Sequence, residues 1–193
     1  MEEVLKKNEK KYRQLVEETH TISWEYNITN DKWAYVSPQS RTILNYEPEE
    51  WTNLKFWSDN LHPDDREWAA KYCMECTVKG ENHTLEYRFK AKTGKYVWLR
   101  DVVSVEMKDN KPVMLRGVMI DITKSKQAEE KIRKLSKGIE QSPAVCVITD
   151  LEGKIEYVNP KFTELTGYSA EEAIGQNPRI LKSGVHSKKF YTD

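Results

Sequence analysis

With 193 residues and an apolar share of 38%, the chain has room for one large domain, or one domain with part of another, and is too polar to be packed core throughout. Its 31 basic and 31 acidic residues cancel, which gives no net field to draw nucleic acid or an anionic membrane. No apolar run approaches the ~18 residues of a membrane span and Met1-Glu2-Glu3-Val4-Leu5-Lys6 lacks a signal-peptide core, so the expectation is a soluble, cytoplasmic segment whose parent is free to be membrane-attached.

Residues 4–18 are charged and helix-favouring, with Leu5, Asn8, Tyr12 and Leu15 at helical spacing, and an amphipathic helix is expected over about 1–14. Two short strands follow around Trp24-Glu25-Tyr26-Asn27 and Lys32-Trp33-Ala34-Tyr35-Val36, joined by the polar turn Ile28-Thr29-Asn30-Asp31. Ser37-Pro38 reads as a helix cap followed by proline at the first helical position, and Tyr46-Glu47-Pro48-Glu49-Glu50 as the start of a second short helix. His62-Pro63-Asp64-Asp65-Arg66 caps a longer helix to about Lys79, and residues 84–90 alternate as a strand.

Residues 94–123 organise the chain. A long arm rich in β-branched and aromatic residues, from Lys95 to Met107, turns at Lys108-Asp109-Asn110-Lys111 into a second arm opened by Pro112. This hairpin brings the strands to five. After Thr123 the pattern changes at once to a helix, with Ala128, Ile132, Leu135 and Ile139 forming a two-heptad seam suited to pairing in a homodimer, or to packing on its own domain.

The early pattern then returns. Lys154-Ile155-Glu156-Tyr157-Val158-Asn159-Pro160 lies over Lys32-Trp33-Ala34-Tyr35-Val36-Ser37-Pro38, and Leu165-Thr166-Gly167-Tyr168 over Ile43-Leu44-Asn45-Tyr46, both 122 positions on. Two copies of one unit are therefore expected, the second reaching only its N-terminal half.

These residues resemble the PAS sensory domain with its C-terminal PAC motif, through Tyr35-Val36-Ser37-Pro38, His62-Pro63-Asp64-Asp65-Arg66, Glu86-Tyr87-Arg88, Thr93-Gly94-Lys95-Tyr96-Val97-Trp98 and Gly117-Val118-Met119-Ile120-Asp121-Ile122-Thr123. The resemblance implies an α+β PAS fold: a five-stranded antiparallel sheet with helices over one face, then a linker helix and a partial second PAS domain. The expected boundaries are 1–14 for the N-terminal helix, 15–123 for the PAS/PAC domain, 124–141 for a signalling helix and 142–193 for the half domain. It further implies a sensory input module of a multidomain protein such as a sensor histidine kinase or diguanylate cyclase, with a C-terminal output domain in the parent. No phosphoacceptor box, nucleotide-binding glycine loop or cyclase signature appears, so the segment itself is not expected to be an enzyme.

The apolar strand face Leu85, Tyr87 and Phe89, with Leu99 on the next strand, is the candidate lining of a small-ligand pocket. In the family, Asp121-Ile122-Thr123 holds the last strand against the departing helix. Asp and Thr offer side-chain oxygens to nearby backbone donors, Thr123 is placed to cap a helix from Lys124, and Ile122 to pack beneath it.

Cofactor signals are sparse. Heme-binding relatives use a histidine within the long helix, and residues 64–79 contain none; His62 reads as a turn residue. In flavin photoreceptors a reactive cysteine stands where this chain has Pro178, in Asn177-Pro178-Arg179-Ile180-Leu181-Lys182, which excludes thiol photochemistry there and leaves non-covalent flavin open. Cys73 and Cys76 share a helix face without a second ligand pair for a metal, and with Cys146 they fit a reducing compartment. They read as small core residues, with thiol redox chemistry as the alternative function. A purely structural dimerisation module without ligand is the other alternative. Trp24, Trp33, Trp51, Trp57, Trp68 and Trp98 all fall in the first copy, and suit core packing better than an aromatic cage.

Overall fold

The computed structural model describes residues 21–182, so the expected N-terminal helix and the tail beyond Lys182 lie outside the described residues. The chain divides into two compact units, Met1–Gln127 and Ala128–Asp193.

The first unit is built on an antiparallel sheet of β1 (Thr21–Asn27), β2 (Lys32–Val36), β3 (His83–Lys90), β4 (Tyr96–Lys108) and β5 (Lys111–Asp121), in the order β2-β1-β5-β4-β3. Alternation makes each strand two-faced: Ile22, Trp24 and Tyr26 on β1 and Leu85, Tyr87 and Phe89 on β3 point into one core. The β4–β5 hairpin turns through Asp109 and Asn110, at φ 50° and 58°, the left-handed pair of a type I′ turn that matches strand twist. Pro112 stands opposite Met107 beside a register shift, where a missing N–H disturbs the ladder least.

Three helices cover the core face: α1 (Gln39–Leu44), α2 (Leu54–Asp59) and α3 (Pro63–Lys79). Ser37 does not cap α1 as expected. Its hydroxyl accepts from Ser23 N–H at 3.0 Å, which ties the loop to β1, and Pro38 takes the cap position with no side-chain bond. The element expected at Tyr46–Glu50 is a single 3₁₀ turn, Pro48–Glu50, closed by reciprocal capping between Glu47 and Glu50. The sequence reading missed α2. Asn53 starts it by accepting from Phe56 N–H at 3.1 Å. α3 begins where expected: His62 Nδ1 accepts from Asp64 N–H at 3.2 Å, and Pro63 needs no partner for its nitrogen.

Large aromatics fill the space between helices and sheet. Trp51 stacks on Phe89 with ring centroids 5.5 Å apart, and Trp57 meets Tyr87 edge-on at 5.6 Å. Trp24 crosses Gly117 on β5 so closely that a Cβ there would lie 2.6 Å from the indole and 2.4 Å from the Val102 carbonyl oxygen. Trp68, by contrast, is 43% exposed and is not core.

From Thr123 the chain runs as α4 (Thr123–Glu140). The second unit contains the hairpin β6 (Val147–Thr149) and β7 (Ile155–Val158), then α5 (Pro160–Thr166) and α6 (Ala170–Ala173). Its buried core is small: Ile155, Val158, Phe162 and Ala173. Here the expected cap forms, because Asn159 accepts from Phe162 N–H while its amide donates to the Ala144 carbonyl at 2.9 Å.

Candidate functional site

Between α2, α3 and the sheet lies a small cavity of about 10 Å³, walled by Trp24, Tyr26, Trp33, Trp57, Cys73 and Leu85 among others. A larger, mostly apolar groove of about 410 Å³ shares Tyr26, Leu54, Trp57, Cys73 and Leu115 with it and continues along α3 past Met74 and Val78. The two spaces adjoin at these shared residues.

A polar cluster sits at the cavity. Asp101 on β4 is 3% exposed and also lines it. Its Oδ1 accepts from Trp24 Nε1–H at 3.0 Å and its Oδ2 from the Tyr87 hydroxyl at 2.9 Å, while Tyr87 accepts from Trp57 Nε1–H at 3.0 Å. Burial pushes the Asp101 carboxyl up to about 7, against the pull of the Tyr87 and Trp24 donors. Burial also drives the Tyr87 phenol well above its ordinary value and lifts the Cys73 thiol to about 11, with the nearby Asp101 charge adding to both. Thiolate, the reactive form of a cysteine, is therefore scarce at Cys73 near neutral pH, and Cys76 is buried beside it.

Of the residues expected to line a pocket, Leu85 reaches the cavity wall and Tyr87 supplies the hydroxyl of the polar cluster. Phe89 and Leu99 are fully buried in the surrounding core, and neither lines the cavity or the groove. Asp101 was missed. Its signal was the two-residue period itself, since inward Leu99 and Val103 flank it and put a carboxylate on the buried face of β4.

The second constellation is the exit into α4. Asp121 Oδ1 accepts from Thr123 N–H at 2.8 Å and so satisfies the first donor of the helix. Thr123 does not cap α4. Its hydroxyl instead accepts from Trp98 N–H on β4 at 3.0 Å, and Ile122 N–H donates to the Trp98 carbonyl at 2.9 Å. Ile122 is buried beneath the junction. Above it, Lys126 Nζ lies 2.7 Å from Glu86 and 5.3 Å from the centre of the Trp98 ring, and Arg88 covers the same ring at 5.5 Å. Arg100 also pairs with Glu86, at 2.7 Å; Lys126 and Arg100 together hold that carboxyl below its usual range. Arg88 reaches back to Asp65 on α3 at 2.7 Å, so one run of ionic and ring contacts links α3, the sheet and α4.

In the second unit, Pro178 opens a 3₁₀ turn capped by Asn177, whose amide donates to the Gly153 carbonyl at 3.0 Å. A groove of about 270 Å³ lies between the α4 residues Ile132, Leu135 and Ile139 and the hairpin residues Ile148 and Tyr157.

Residues 34–119 match one PAS fold family and residues 133–191 a second, also described as a PAS fold. The sensor protein FixL of Bradyrhizobium diazoefficiens is 25% identical over 166 residues, which is 82% of this chain and 32% of FixL. The chain thus spans about a third of that relative. The crystal structure of the N-terminal domain of a diguanylate cyclase with PAS/PAC sensor from Marinobacter aquaeolei is 32% identical, with a TM-score of 0.53, covering 55% of this chain and 98% of that domain. A sensory box histidine kinase/response regulator structure from Burkholderia thailandensis shares the fold at 20% identity and a TM-score of 0.57, over 68% of this chain and 98% of its own. No helix among the described residues is long and apolar enough to cross a membrane. Two tandem fold matches, the five-stranded sheet and a relative covered almost end to end place the chain in the PAS domain family, as a pair of sensory domains.

Proposed function

We propose that the chain is the sensory input of a longer cytoplasmic signalling protein, with a PAS domain over 15–123, a signalling helix over 124–141 and the start of a second PAS domain over 142–193. A small ligand enters from the groove along α3, alters the packing around the adjoining cavity, and moves β4 and β5 relative to α4. The observation that carries this reading is the bracing of the first turn of α4 on the backbone of Trp98, one strand residue from Leu99 and three from Asp101. The output is an enzyme such as a histidine kinase or diguanylate cyclase fused beyond this segment, and two chains pair along the apolar seam of α4.

The test is the intact protein with its native output. Asp121→Ala is expected to abolish the response to signal while the first domain keeps its thermal transition; a response of full amplitude would remove Asp121 from the coupling path. One observation favours a second reading, in which the first domain pairs chains and takes no ligand: the cavity has room for only about one water. Native mass spectrometry showing no retained small molecule across independent preparations supports that alternative.

A further inference from the structure

A buried carboxylate without a compensating charge must either take up a proton or meet a cation. Asp101 accepts one bond on each oxygen, from two neutral donors, and among the described residues no ion pair reaches it. A carboxylate offers about four acceptor sites, so part of its capacity is unspent. The space beside it matches one type of head group. A cavity of about 10 Å³ admits a group the size of water, and an alkylammonium, –NH3⁺, is such a group with three donors. Trp24, Tyr26, Trp33 and Trp57 line the same space, and the faces of aromatic rings attract cations rather than anions. Across Leu54, Cys73 and Leu115 the apolar groove offers room for a hydrocarbon body.

Resting on the ligand-sensing reading above, we infer that the ligand of the first PAS domain is a primary amine with an apolar body, its ammonium against Asp101 and its body in the groove along α3. A carboxylate ligand is repelled by Asp101. A quaternary head is too large for the cavity as it stands.

The groups around the site leave Asp101 as the titrating partner near neutral pH. Cys73 on α3 and Tyr87 on β3 both titrate far above 7. Tyr26 on β1 is held neutral by burial and by its bond to Asp31. Lys55 on α2 stands at the groove, paired with Asp59. An alkylammonium keeps its charge throughout this range, as a lysine does. Its affinity therefore follows the ionisation of Asp101: it rises about tenfold per pH unit below 7 and levels off above.

The experiment titrates the 193-residue chain with hexylamine, hexanol, hexanoate and hexyltrimethylammonium, read by calorimetry and by tryptophan fluorescence. Hexylamine should bind at least tenfold more tightly than the other three at pH 8, and Asp101→Asn should erase that preference while hexanol binding persists. If the variant does not fold, the pH dependence of hexylamine affinity in the unaltered chain carries the test, and a flat profile from pH 5.5 to 8.5 would overturn the proposal. Hexanol or hexanoate binding as tightly as hexylamine would overturn the amine and leave the ligand-sensing reading standing. Failure of every probe to bind would overturn the amine, while the ligand-sensing reading stands or falls with the native mass spectrometry above.

Discussion

Gly117 is the one position on β5 where the main chain has no room for a methyl group, because the Trp24 indole and the Val102 carbonyl close over it. Gly117→Ala must push Trp24 off its place and so loosen its bond to Asp101. Urea denaturation should register a loss of about 1–3 kcal/mol, the usual cost of overpacking. Asp101 itself makes stability depend on pH. Its carboxyl holds a proton more tightly in the folded chain, near 7, than at its ordinary value of 3.8, so its contribution is complete below about pH 4 and is lost as pH rises through 7. The full loss amounts to about 4 kcal/mol at ~1.4 kcal/mol per pH unit. Asp65 acts in the opposite sense: Arg88 lowers its carboxyl, and that contribution is lost as pH falls below the ordinary carboxylate range. Denaturation midpoints should therefore decline from mildly acidic to neutral pH, and Asp101→Asn should flatten that decline. The alternation of β4 made this aspartate's inward direction legible in the sequence. Its partners were not, because Trp24 lies 77 positions away and reaches it only through the pairing of β1 and β4 on either side of β5.

Strands and turns with strong local chemistry were readable in advance: the Asp109-Asn110 turn, the His62-Pro63 start of α3 and the Asn159 cap follow from backbone preferences of single residues. The failures came where a side chain had two partners within reach. Ser37 and Thr123 both left the expected helix cap for a strand N–H, a choice fixed by tertiary packing rather than by neighbours in sequence. That difference changes what substitutions at the exit should do. Asp121→Ala removes the acceptor of the first helix donor and should cost about 1 kcal/mol, fraying α4 while the sheet stays folded. Leu99→Ala, on the central hairpin and fully buried, should cost ~2–5 kcal/mol and lower the transition of the whole first domain. Circular dichroism melts distinguish the two. Further along α4, Ile132 and Leu135 are 66% and 58% exposed, a wide apolar stripe for a solvated helix. If the stripe is a dimer seam, Leu135→Asp should convert dimer to monomer in size-exclusion chromatography with light scattering.

The two units differ in how much structure they can hold by themselves. The first closes five strands over a continuous aromatic core; the described part of the second rests on a two-stranded hairpin and four buried apolar residues. Amide hydrogen exchange should be much faster over 145–158 than over 96–120, and equal protection in a monomer would contradict this. The layout of the larger sheet has a further outcome. Thr21 at the head of β1 pairs directly with Ile120 near the foot of β5, so the two ends of the described sheet lie side by side. A gene segment encoding such a unit can be copied or spliced between existing sequences without stretching what flanks it. The internal repeat at 122 positions shows two such units carried in tandem on one chain, the arrangement that adjacent ends allow without redesign of the fold.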